Sequence, residues 1–107
     1  MEPVEINAGS WYLRALRADD RVDDRPALAE LGELDASYVQ RRDGQWLDDT
    51  LYTWAVCEPT TGELLAEVSL NPSSGDIALR SRPGHAEAGR TAGDAVRRFA
   101  EAALGLL

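Results

Sequence analysis

The chain has 107 residues, of which 44% are hydrophobic, and a formal net charge of −8 at pH 7. That length supports one domain around one core, and the acidic balance argues against a nucleic-acid partner, which favours a basic patch able to replace phosphate counterions. The apolar runs fall short of the roughly 20 residues of a membrane span, and Met1-Glu-Pro-Val-Glu5 lacks the start of a secretory signal, so the sequence implies a cytoplasmic address and no membrane partner. Cys57 is the sole cysteine, which excludes an internal disulfide, and its place in a strand predicts a buried, inert thiol. All eleven basic residues are Arg, as a genomic coding bias would give, although Arg also suits planar phosphate contacts. Acidic residues crowd the first half, whereas Arg80, Arg82, Arg90, Arg97 and Arg98 lie near the end, so any anion site belongs there.

Residues 1–10 read as a loose lead-in, and Trp11 to Arg17 alternates as a first strand. The Asp-rich run Ala18 to Arg25 is a loop whose aspartates and arginines interleave, a self-paired pattern without the spacing of a calcium site. Pro26 suits the opening turn of a helix with Leu28, Leu31 and Leu34 at intervals of three, which Gly32 ends or bends. A second helix covers Ala36 to Leu47, with Asp35 or Ser37 as its cap.

The strongest pattern is Thr50 to Leu70, two alternating β-rich runs joined by Pro59-Thr-Thr-Gly62. The first run is apolar on both faces and belongs inside a sheet covered by helices, while Glu67 and Ser69 mark a more polar face on its partner. Asn71-Pro-Ser-Ser-Gly75 is a turn, and Asp76 to Ser81 is a short third member of the meander. Pro83-Gly84-His85 breaks the strand, Ala86 to Gly93 is small and flexible, and Ala95, Val96, Phe99, Ala102, Ala103 and Leu106 form an amphipathic closing helix. The expected fold is α+β, a four-stranded, mainly antiparallel sheet with flanking helices in the order β-α-α-β-β-β-α.

The element order, the lead-in Tyr12-Leu-Arg-Ala-Leu-Arg-Ala-Asp-Asp20, the hairpin Trp54 to Val68 and the closing Ala95-Val-Arg-Arg-Phe-Ala100 resemble the GNAT N-acetyltransferases, particularly their ribosomal-protein-acetylating branch. The resemblance covers the family's first half, since its members continue with a fifth strand, another helix and a final hairpin. It implies a truncated N-acetyltransferase-like domain over residues 1–107, with acetyl-CoA as cofactor and acyl transfer to an amine as activity.

In that family a loop of pattern Arg or Gln, two residues, Gly, one residue, then Gly or Ala binds the cofactor pyrophosphate through bare backbone N–H groups at a helix N-terminus. Two registers compete here. Read literally, Arg90-Thr-Ala-Gly-Asp-Ala95 matches; anchored on the helix, the loop becomes Glu87-Ala-Gly-Arg-Thr-Ala92, with an acid where Arg or Gln belongs and Arg90 where glycine belongs. Together they designate Ala88, Gly89, Arg90, Thr91, Ala92 and Gly93 as the cofactor-binding segment, and the second register implies an eroded loop with Glu87 repelling the pyrophosphate. The alternative is that Gly84, Gly89 and Gly93 only end a strand and start a helix.

The resemblance assigns no catalytic residue, because the family's proton-donating Tyr lies in the half not represented. Glu67 is the local carboxylate to test as a base, against the commoner situation of a solvated strand-face glutamate. Tyr52 and Trp54 read as core, and His85, without a clustered Cys or second His, makes no metal site. A second function class follows from the same sheet: the Asp76 to Ser81 strand is an uncovered edge, which suits a non-catalytic module that forms a homodimer or pairs with a partner protein.

Overall fold

The computed structural model describes residues 1–105. Its elements are β1 (Ile6–Ala8), β2 (Trp11–Ala15), α1 (Arg25–Glu30), α2 (Tyr38–Leu47), β3 (Tyr52–Cys57), β4 (Leu64–Leu70), β5 (Ile77–Ser81) and α3 (Ala86–Leu104). The strands form one antiparallel sheet in the order β1-β2-β3-β4-β5. The α+β class holds, with five strands rather than four.

The added strand comes from the segment expected to be a loose lead-in. Ile6, Asn7 and Ala8 pair with Leu13, Tyr12 and Trp11 through a two-residue loop in which Gly9 takes a φ of 62°. A positive φ at the first loop position is the pattern of the type II′ hairpin, whose twist suits antiparallel strands. Two further bonds hold this segment: Trp54 Nε1 donates to Val4 O at 2.6 Å, and the Met1 amino group donates to Trp46 O at 2.7 Å.

Alternation along β3 divides its side chains between two cores. Tyr52, Trp54 and Val56 join Leu13, Val68, Leu70 and the buried face of α3, while Ala55 and Cys57 join Leu28, Tyr38 and Val39 of α1 and α2. All six residues of β3 are buried, as its apolar sequence on both faces predicts. Trp46 reaches round from the end of α2 to stack on Tyr52 at 4.7 Å and meet Trp54 edge-on at 4.9 Å, and its Nε1 donates to Thr53 O at 3.0 Å. Cys57 is fully buried, as expected of an inert thiol, and burial pushes it up to about 11.

The helices differ more from expectation. α1 stops at Glu30, and Gly32 follows with a φ of 94°, so Leu34 lies beyond the helix and is 82% exposed. α3 begins at Ala86, and the stretch 86–93, read as flexible, is its first two turns. Ala88, Gly89, Ala92 and Gly93 are buried along it at positions i, i+1, i+4 and i+5, one face of a helix. Small residues on that face bring the helix axis close to the sheet. Among the described residues no helix is long and apolar enough to cross a membrane.

Candidate functional site at the junction of β5 and α3

The chain leaves β5 through Arg82-Pro83-Gly84-His85, where Gly84 adopts a φ of 86° and His85 N donates to Arg82 O at 3.0 Å. His85 occupies the N-cap of α3 and makes no side-chain cap bond. The N–H groups of Ala86, Glu87 and Ala88 have no partner within the described residues, as at the start of any helix. Gly89 N donates to His85 O at 3.3 Å and so already belongs to the helical ladder.

All six residues of the sequence-designated segment lie in the helix. Ala88, Gly89, Ala92 and Gly93 face the sheet, Arg90 is exposed, and Thr91 is half-buried. A Cβ added at Gly89 would sit 2.2 Å from Ser81 Oγ and 3.3 Å from Leu79 Cδ1, and one at Gly93 would sit 3.0 Å from Leu79 Cδ2. Both glycines are thus bare where the helix lies against β5 side chains. Neither has a positive φ, so close approach rather than backbone freedom accounts for them.

Around the junction Arg82 is engaged, Glu87 is acidic, and Arg90 is an exposed cation. Glu87 stands exposed in the first turn of α3, where a carboxylate complements the helix dipole. Arg82 donates to Glu30 at 2.6 Å, Glu63 at 2.5 Å and Leu64 O at 3.0 Å, which ties the end of β5 to α1 and to the β3–β4 turn. These partners hold its pKa above the ordinary arginine value, the Glu63 hydrogen bond foremost.

β5 itself is an edge strand. Asn71 N bonds to Asp76 O and Arg82 N to Leu65 O, so in the alternating antiparallel ladder Asp76, Ala78, Arg80 and Arg82 turn their backbone groups toward β4. The N–H and C=O groups of Ile77, Leu79 and Ser81 therefore point away from the sheet.

No protein-family model matches this chain, and no curated protein matches it in sequence. Among solved structures it is similar to a candidate ribosomal-protein-serine acetyltransferase from Vibrio cholerae, with a TM-score of 0.78 and 18% identity over 99% of this chain and 72% of that one. The fold is of the GNAT type. At such identity the likeness concerns the fold, and it agrees with the family that the sequence resembles.

Within this GNAT fold, Glu67 is not a solvated strand-face carboxylate. It is 4% exposed and accepts hydrogen bonds from Tyr38 Oη at 2.6 Å and Arg80 Nε at 2.8 Å. Arg80 also meets Glu33 at 2.8 Å and donates to Leu31 O at 3.3 Å. Burial alone disfavours the Arg80 cation, but its bonds and charge contacts with Glu67 and Glu33 more than reverse this and raise its pKa. Burial, and then the bond to Glu67, likewise raise the Tyr38 phenol, so Tyr38 stays a donor. The network ties β5 to α2 and to the segment that follows α1.

Sequence reasoning missed the buried pair Arg14 and Asp24. Arg14 Nη1 and Nη2 donate to Asp24 Oδ2 and Oδ1, each at 2.8 Å, with both side chains almost wholly buried. Asp24 also accepts Arg17 N at 2.7 Å, and Arg14 reaches Gly62 O at 3.2 Å, so the pair joins β2, the Asp-rich loop and the β3–β4 turn. The rest of that loop is self-paired in part: Asp19 pairs with Arg17 and Asp23 with Arg25. The Arg17 hydrogen bond and two backbone N–H groups hold Asp19 well below the carboxylate range. No cluster of His, Cys, Asp or Glu among the described residues could hold a metal, His85 included.

Proposed function

We propose that this chain keeps the GNAT scaffold, resembling the first half of the family's domain, and serves as a non-catalytic binding and assembly module. The observation that carries the reading is the close seating of Gly89 and Gly93 on Ser81 and Leu79. A cofactor cradle needs its glycines bare toward open space, so that backbone N–H groups can approach a pyrophosphate. Here the same positions are filled by β5 side chains, four of the six designated residues are buried, and the first-turn side chain is the acidic Glu87. Residues 88–93 therefore do not fit acetyl-CoA, and the eroded-loop register of the sequence accords with that. Glu67, the one carboxylate considered as a base, is consumed by Tyr38 and Arg80.

The competing reading, acyl-CoA-dependent transfer to an amine, is favoured by the fold likeness and by the unpartnered N–H groups of Ala86 to Ala88. A thermal-shift titration with acetyl-CoA separates the two. A ligand present at about 100 times its Kd adds about 2.7 kcal/mol of apparent stability. The module reading predicts no shift up to millimolar acetyl-CoA, and a shift that grows with concentration overturns it.

A further inference from the structure

We draw no further inference here: the strongest candidate, the cavity of about 330 Å³ between α1, the Asp-rich loop and the β3–β4 turn, carries nothing because the carboxylates that line it are held by the chain's own Arg14, Arg25 and Arg82 and nothing in the structure shows what fills it.

Discussion

Replacing Gly89 by Ala asks directly why this position is bare. In a helix interior the change gains about 1 kcal/mol from propensity, because glycine loses more backbone entropy on folding. At Gly44 in α2 nothing lies within 4 Å of an added Cβ, so Gly44→Ala should stabilise by about 0.5–1 kcal/mol. At Gly89 the new Cβ lands 2.2 Å from Ser81 Oγ and 3.3 Å from Leu79 Cδ1, so the Ser81 hydroxyl, which has no hydrogen-bond partner among the described residues, must rotate away and Leu79 must give slightly, at a cost of about 1 kcal/mol. Gly89→Ala should thus be less stable than Gly44→Ala by about 1 kcal/mol, a gap of several degrees in Tm for a domain of this size. Ser81→Ala removes the nearest obstructing atom, so in that background the penalty at Gly89 should shrink. The assay is urea and thermal unfolding of the single and double variants. If Gly89 is bare for a ligand, the ligand-free protein offers its Cβ open space, and Gly89→Ala would stabilise as much as Gly44→Ala; that result refutes the packing argument.

Other changes test the charged interior and the thiol. Asp24→Ala leaves the Arg14 guanidinium buried without its partner and should cost about 3–5 kcal/mol by denaturant unfolding, a large share of a typical domain's stability. Glu67→Gln keeps an acceptor for Tyr38 and Arg80 but removes the charge, for an expected loss of about 1–2 kcal/mol; a neutral result would mean that the network does not hold β5. Cys57 has a folded pKa raised to about 11, so its contribution is complete below the unfolded value near 8.5 and is lost as pH rises toward 11. Stability measured across that window should therefore fall in the wild type, and in Cys57→Ala, whose baseline is lower, the decline should begin only where the tyrosines titrate.

What the sequence disclosed depended on whether the deciding interaction was local. The hairpin of β3 and β4 was legible because its alternation and the Gly62 turn are written within 21 residues. β1 was not, since three residues carry no period and their pairing depends on the Gly9 turn. The first half of α3 was misread for a physical reason. Glycines weaken a helix locally, so Ala88, Gly89, Ala92 and Gly93 look like a loop, and the compensation lies in Leu79 and Ser81 on another element. Their helical spacing was the available signal. The networks of Arg14 with Asp24, and of Glu67 with Tyr38 and Arg80, join residues 10 to 29 positions apart, and nothing local distinguishes such charges from solvated ones.

The central claim concerns the start of α3, and its amides report on it individually. Titrating isotope-labelled protein with acetyl-CoA while following the backbone N–H signals of residues 86 to 93 would show any pyrophosphate seated on that turn. The module account predicts that these signals stay in place at millimolar ligand. Saturable shifts centred on Ala86, Glu87, Ala88 and Gly89 would contradict it and return the chain to the acyl-CoA-dependent enzymes.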